Sequence, residues 1–517
     1  MSQELAKKYQ KKSDKQHVLD NPDTYIGSIE NVTSNTFVFD NINKKIIEKN
    51  ISYIPGLYKL FDEGIVNCRD HVIRMNQLIN QTNETNKKNK VYPVTKIDVS
   101  INDDIITLYN DGNGIDVSIH PEYNIWIPEL IFGHLRTSTN YNKNEKKIVG
   151  GKNGFGFKLV LIWSTWGQIE TIDSKTGQKY IQTFKNNLDI IEEPIISKTK
   201  EKPYTCVRFK PDFKRLGIEG LNDDFKDLMM RRIYDIAAVT NKSINVTFNN
   251  NKLNPEVKNF QQYIDLYIGS KSELQRIYEE ANERWEYAVC LSPNEEFAQV
   301  SFVNGIFTSK GGKHVDYIVN QIIKKLTAYI KEKKHIDVKP ASIKEQLMIF
   351  VNTTIENPAF DSQTKDYLNS AISNFGSSCE VSSKFIEKLA KMGVMNTACS
   401  LTEVKENKSL KKTDGSKCKT IRNIPKLVDA NFAGTNKSKD CILILCEGDS
   451  AKSGIISGLS REDRNIIGVY PMKGKMLNIR GESVSKIGEN KEINEIKQII
   501  GLEHGKVYNN EIGRAHV

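Results

Sequence analysis

Phe61-Asp-Glu-Gly-Ile-Val-Asn67 lies within a segment whose apolar residues Leu57, Leu60, Phe61, Ile65, Cys68 and Val72 recur at intervals of three and four. That period predicts a helix from Leu57 to Met75. A spacing of four then sets Glu63 and Asn67 on one face of it. A carboxylate in that position can orient water for attack on a γ-phosphate. An amide oxygen one turn away can hold Mg2+ against phosphates. Alone, a Glu-x-x-x-Asn pair is more often two polar residues on a solvated helix, so the reading depends on what accompanies it.

Two glycine-bearing segments follow. Lys96–Ile101 and Ile105–Tyr109 alternate as strands, and Asn110-x-Gly112-x-Gly114 comes directly after the second. Two glycines let the backbone approach a flat base closely, and the Asn110 amide can pair with an adenine edge. Further on, Gly150-Gly-Lys-Asn-Gly-Phe-Gly156 precedes Phe157-Lys-Leu-Val-Leu161, which begins a helix. Glycine amides before a helix cradle phosphate oxygens, and Lys158 adds charge. The chain has no G-x-x-x-x-G-K-[ST] P-loop, and this glycine run lacks the βαβ context of a dinucleotide fingerprint. A lid closing over ATP fits it better.

The chain has 517 residues, enough for about three domains. It is 38% hydrophobic and 27% charged, a globular composition. The net charge of +10 suits an anionic partner. Abundant Asn and Ile point to coding bias as another source of the lysines. Eight scattered cysteines form no C-x-x-C pair and read as reduced intracellular thiols. The first residues contain no apolar signal core, and no run of 18 apolar residues suggests a membrane span. No membrane partner is expected.

Residues 1–255 alternate helix and strand patterns, with a helix over Asp223–Val239, a strand over Ser243–Phe248 and a polar surface loop over 80–90. A second α+β region covers 256–400, with strands at 298–304 and 346–352 and a helix over His314–Lys331. Residues 401–439 read as a linker or DNA-facing strip. Within it, Lys405–Lys426 holds eight basic residues against two acidic ones. A third domain opens near Asp440 and covers 440–510, with the apolar run Cys441–Cys446 leading into Glu447-Gly-Asp-Ser-Ala451. One strand, one helix and a loop are expected there, too little to bury a core. Glu511-Ile-Gly-Arg-Ala-His-Val517 reads as a non-native tail.

The motifs E-x-x-x-N, N-x-G-x-G and G-G-x-N-G-x-G, in this order, resemble those of the GHKL ATPases. Within that group the chain resembles eukaryotic-type DNA topoisomerase II, a type IIA topoisomerase. The matching stretches include Tyr9–Lys12, Pro22–Gly27, Gly56–Glu63, Thr137–Tyr141, Ser309–Tyr317, Asn357–Lys365, Cys441–Lys452 and Pro471–Asn478. The resemblance implies an α+β multidomain protein. A GHKL (Bergerat) ATPase sandwich would come first, then a transducer domain of ribosomal-S5-like fold, then the start of a TOPRIM domain. Its cofactors would be ATP and Mg2+, its partners double-stranded DNA and a second copy joined through the ATP gate. It would be nuclear in a eukaryote and otherwise cytoplasmic or viral. The alternative from another class is an ATP-operated dimeric clamp of the MutL or Hsp90 kind that cuts no DNA.

The resemblance also implies roles. Glu63 would be the base for hydrolysis, Asn67 would hold Mg2+ and phosphate, and Asn110 the adenine. Ser138, Thr139 and Asn140 would contact ribose and phosphate. The lid would comprise Gly151, Lys152, Asn153, Gly154, Phe155, Gly156, Phe157 and Lys158. Gln363, Thr364 and Lys365 would reach the nucleotide from the second domain, Lys365 at the γ-phosphate. Tyr9 would contact nucleotide in the partner subunit. Glu447 would hold Mg2+ for DNA cleavage, with Lys473 and Lys475 near DNA phosphate. The Asp-x-Asp pair expected to complete that metal site does not occur between Ile467 and Asn510. Three residues depart from the family pattern: Gly64 for a large apolar residue, Phe157 for a small one and His71 for Asn. A mid-helix Gly costs about 0.5–1 kcal/mol. Altered nucleotide affinity, with the chemistry kept, is the expectation.

Overall fold

Lys96–Asn102 and Ile105–Asp111 pair antiparallel, with Ile97 opposite Asn110 and Ile101 opposite Ile106. They form the middle of a nine-stranded sheet. Its order is Asn251–Lys252, Asn245–Phe248, Lys96–Asn102, Ile105–Asp111, Tyr204–Pro211, Ser164–Ile172, Gln178–Lys185 and Ile190–Ile191, with Ile195–Lys198 also on Gln178–Lys185. The computed structural model describes residues 12–85, 90–135, 137, 147–151, 156–400, 402, 424–482 and 484–508. The chain divides into two compact units, Met1–Tyr329 with Ile343–Met392, and Ile330–Ser342 with Gly393–Val517.

In the first unit, the helix Pro55–Thr85 packs on the strands Lys96–Asn102 and Ile105–Asp111 and on the helices Gly156–Ile162 and Asp223–Ala238. Proline at the helix start loses no intrahelical bond there. The helix is buried on almost every side from Leu57 to Val72, unlike an amphipathic surface helix. It also runs through Asn80–Thr85, where a loop is expected from the polar composition. Exposed polar residues tolerate helix, and the Thr82 hydroxyl donates to Leu78 O at 2.7 Å. The helix Asp223–Ala238 is capped by Asn222, whose side chain accepts from Phe225 N at 2.7 Å.

The same unit carries a second sheet, ordered Arg276–Asn282, Trp285–Leu291, Leu347–Thr353, Ala298–Val303 and Ile306–Phe307. Ala298–Val303 lies parallel to Leu347–Thr353. A parallel pair needs a long crossover, and the helix Lys313–Lys334 lies in the connection. One hydrophobic cluster joins both sheets and the helices, including Leu60, Phe61, Trp163, Tyr263, Phe302 and Phe350.

The second unit holds two parallel strands, Ile442–Glu447 and Ile467–Met472, with Glu447 opposite Met472. The helix Gly448–Gly458 lies in the connection, and Lys491–Ile500 follows later. There is thus one strand more than expected. The coreless reading is also corrected, because Ile424, Ala430, Ala433, Tyr470 and Ile499 form a small buried cluster. Residues 424–439, read as the end of a linker, contribute to it, and Val428 pairs with Val469. The architecture is α+β. No helix among the described residues is long and apolar enough to cross a membrane.

Candidate active site

A cleft of about 400 Å3 opens in the first unit. Glu63, Asn67, Asn110, Gly151, Gly156, Phe157, Lys158, Gln363 and Lys365 all line it. Sequence separations of up to 302 residues are thereby closed. Thr364 is not among the lining residues, and its hydroxyl donates to Asp366 at 2.8 Å. Tyr9, Ser138, Thr139, Asn140, Lys152, Asn153, Gly154 and Phe155 lie outside the described residues, as do 403–423 and the 511–517 tail.

At the centre, the Lys365 ammonium donates to Glu63 Oε1 at 2.8 Å, and both side chains are buried. Lys59 Nζ stands 3.2 Å from the same oxygen, one helical turn back. Burial pushes the Glu63 carboxyl up, but Lys365 and Lys59 outweigh it and hold the group below its usual range. Glu63 is therefore a carboxylate at neutral pH. Lys365 has a left-handed backbone, φ 63°, an uncommon state for a residue with a side chain.

Asn67 Nδ2 donates to Glu63 O at 2.6 Å, which leaves Oδ1 as a ligand oxygen. A Cβ on Gly151 would come within 3.8 Å of that oxygen, so a glycine there keeps room beside it. One neutral oxygen with open space fits Mg2+, which keeps waters and takes substrate phosphates as its other ligands. A Cβ on Gly156 would lie 3.0 Å from Glu63 Oε2. The start of the helix Gly156–Ile162 thus touches the Glu63 face of the long helix.

Asp70, two turns beyond Glu63, was not singled out from the sequence. It is fully buried, and its two oxygens accept from Gly150 N and Gly151 N, each at 2.9 Å. It anchors the first part of the glycine segment. Lys158 is buried too, and donates to Thr137 O at 2.6 Å. Burial pushes its ammonium down to about 8.

Asn110 also lines the cleft, its Nδ2 donating to Asp111 O at 3.0 Å. Gly112, φ 118°, is required because a Cβ would lie 2.7 Å from His71 Nε2. That nitrogen is buried without a hydrogen-bond partner, and burial with the nearby Arg74 pushes His71 down to about 4. The other two departures from the family pattern meet. A Cβ on Gly64 would overlap Leu108 Cδ1 and stand 3.5 Å from Phe157 Cζ. Phe157 packs edge-on against Phe132, centroids 5.4 Å apart.

In the second unit, Glu447 ends its strand with an exposed side chain. Asp449 stands 3.5 Å from Lys452 and 3.8 Å from Lys426. Lys473 and Lys475 are exposed, and the Lys473 backbone donates to Glu492 at 2.6 Å. Among the described residues, no cluster of three or more His, Cys, Asp or Glu side chains is placed to hold a metal. Glu447 alone does not make a cation site.

A family profile described as DNA gyrase B matches residues 259–414. The chain is 45% identical over 512 residues to DNA topoisomerase 2 of Acanthamoeba polyphaga mimivirus, covering 98% of this chain and 39% of the relative. It is 43% identical over 520 residues to DNA topoisomerase 2 of Saccharomyces cerevisiae, covering 97% of this chain and 35% of that protein. It therefore spans only about two fifths or less of the length of these relatives. The crystal structure of the ATPase region of Saccharomyces cerevisiae topoisomerase II is 41% identical with a TM-score of 0.69. That match covers 77% of this chain and 100% of the yeast one. The ATPase and transducer domains of DNA topoisomerase II from Balamuthia mandrillaris match at 36% identity and a TM-score of 0.69, over 77% of this chain and 98% of theirs. With a GHKL-type sheet, a transducer-type sheet and full coverage of a solved ATPase region, the chain belongs to the DNA topoisomerase II family.

Proposed function

We propose that the first unit binds and hydrolyses ATP as the gate of a type II DNA topoisomerase. The observation that carries this reading is the buried pair of Lys365 and Glu63 inside the cleft. Glu63 is the group that takes a proton from the attacking water. Lys365 exchanges its contact with Glu63 for the γ-phosphate when ATP enters. Asn67 holds Mg2+, which when bound offsets phosphate charge. Asn110 faces the adenine. Gly151 to Lys158 close over the phosphates, with Lys158 as the buried cation. Ser138, Thr139 and Asn140 complete the ribose and phosphate contacts, and Tyr9 reaches the nucleotide of a second copy.

In the whole protein, closure of two such gates drives passage of one DNA duplex through another. The parallel strands ending at Glu447 belong to a TOPRIM-type cleavage domain, since α/β sheets place ligands at the C-terminal ends of parallel strands. Glu447 would supply one ligand to a Mg2+ site there whose other ligands lie outside the described residues, and Lys473 and Lys475 face DNA phosphate. The names of the relatives and the overall net charge of +10 support this reading.

The test is Glu63→Gln, which removes the proton acceptor but keeps shape and hydrogen bonding. ATP binding and ATP-dependent dimerisation, followed by sedimentation, should persist while turnover is lost. Hydrolysis at the parent rate would remove Glu63 from its role.

A further inference from the structure

Beside Glu63 on the long helix is Asp62, also buried, which does not line the cleft. Its Oδ1 accepts from Arg232 Nε at 2.7 Å. Its Oδ2 accepts from Lys59 Nζ at 2.8 Å. Lys59 is the same ammonium that stands 3.2 Å from Glu63 Oε1. Arg232 has no exposed surface, and its Nη2 donates to Gly305 O at 2.9 Å.

Gly305 lies in the turn between Ala298–Val303 and Ile306–Phe307 of the second sheet. The turn is fixed in its own sheet. Asn304 Nδ2 donates to Ile355 O at 2.9 Å, and Ile355 N donates back to Asn304 Oδ1 at 2.8 Å. Ile355 begins the loop that carries Lys365. The contacts therefore close a ring: Lys365, Glu63, Lys59, Asp62, Arg232, the Asn304–Gly305 turn, Ile355 and back along the chain to Lys365.

We propose that Arg232 is a positioning residue for ATP hydrolysis, holding the Glu63 carboxylate through Asp62 and Lys59 and tying its placement to the Gly305 turn. The inference rests on Glu63 acting as the base. Only a guanidinium fits the position. Its planar fork reaches Asp62 and Gly305 O at once, whereas an ammonium on a flexible stem serves one of them well. The buried location matters because charges out of water depend on every partner being in place. A shift of the loop carrying Lys365 would be felt by Glu63 from two sides. One is direct, through the loss of the Lys365 contact. The other runs through the turn, Arg232, Asp62 and Lys59.

The test is steady-state ATP hydrolysis by the full chain carrying Arg232→Lys. We expect kcat to fall by about ten- to a hundred-fold, the scale of a small misplacement of a reacting group. KM for ATP should stay within about two-fold, because Arg232 does not line the cleft. Asp62→Asn, which keeps shape, should give the same kcat-against-KM split and serves where the Lys variant folds poorly. The double variant should be no slower than the slower single one, as expected for residues acting in one line. In a Glu63→Gln background, Arg232→Lys should cause no further loss. An unchanged kcat in both single variants, or a loss that merely tracks the folded fraction by circular dichroism, would leave Arg232 as packing alone. Parent-rate hydrolysis by Glu63→Gln itself would sink the site reading and this inference together. A slow Glu63→Gln with a fast Arg232→Lys would sink only the inference.

Discussion

The Lys365 ammonium lies 2.8 Å from Glu63 Oε1, with both groups nearly shut off from water. The cation sits directly on the group proposed as the base. A γ-phosphate entering the cleft would compete for the same ammonium and free the carboxylate to act on water. Hydrolysis would then begin only when Lys365 has been drawn away.

Lys365→Ala should lower turnover by about 10²- to 10³-fold, the range for losing one preorganised electrostatic contact to a transition state. ADP affinity should change by only a few-fold, since ADP has no γ-phosphate for Lys365 to meet. Single-turnover hydrolysis beside ADP titration separates the two. Equal losses of ATP and ADP affinity with normal turnover would place Lys365 elsewhere in the mechanism.

Gly64 lowers helix propensity yet permits close packing. A Cβ there would overlap Leu108 Cδ1, on the strand beneath the helix. Gly64→Ala should therefore destabilise the protein by about 1–3 kcal/mol, the cost of overpacking, despite alanine's better helix propensity. The double variant with Leu108→Ala should lose less stability than the sum of the two single losses. Urea unfolding of the four proteins in the cycle checks this. A stabilising Gly64→Ala would show that Leu108 can move aside freely.

The helix and its Glu63–Asn67 face were legible because both depend on a local spacing of four. Gly156–Ile162 is helical, and this helix after the glycine segment was legible from its own apolar run. The ring of charges around Glu63 was not. Lys59, Asp62, Arg69 and Asp70 look like residues of a solvated face, and only the burial of the helix on nearly all sides reveals them as partners. A residue-by-residue signal was present, since these charges interrupt an apolar pattern on every side of the helix. Pairing Asp62 with Arg232 requires a contact 170 residues away, which no local period encodes. The loop expected at 80–90 is replaced by helix over 80–85, while 86–89 lie outside the described residues. Polar composition reports solubility of the side chains and does not tell a polar helix end from a loop.

Asp70 offers a test of what anchors the start of the glycine segment proposed as a lid. Its carboxylate accepts from two backbone N–H groups, at Gly150 and Gly151. Asp70→Asn keeps the shape but gives up one charged acceptor and sets an NH2 group against an amide N–H. Hydrogen bonds to a charged group contribute about 1.5–3 kcal/mol each. We expect KM for ATP to rise about ten-fold or more, with faster proteolysis near residue 150 in the nucleotide-free protein. Unchanged KM and protease sensitivity would show that the glycine segment is held by other contacts.

Lys158 gives the clearest pH dependence. Its ammonium is buried, and burial alone pushes it from 10.5 down to about 8. Its one described hydrogen bond runs to Thr137 O. Between about pH 8 and 10.5 the unfolded chain binds a proton at this lysine that the folded protein has released. Its contribution to stability therefore rises with pH through that window and is least favourable below pH 8. Nucleotide binding runs the other way. Phosphate prefers the charged form, so affinity for a non-hydrolysable ATP analogue should weaken as pH climbs past 8. Lys158→Met should remove that dependence and raise the melting temperature of the nucleotide-free protein at pH 7, because a buried cation gives way to an apolar chain of similar volume. It should also weaken the analogue by about ten-fold or more at pH 7, the loss of one charge-assisted contact to phosphate. Calorimetric titrations of parent and variant from pH 7 to 9.5 decide the matter. A parent affinity that stays flat across that range, or a variant that binds the analogue as the parent does, would show that Lys158 holds Thr137 and not the phosphates.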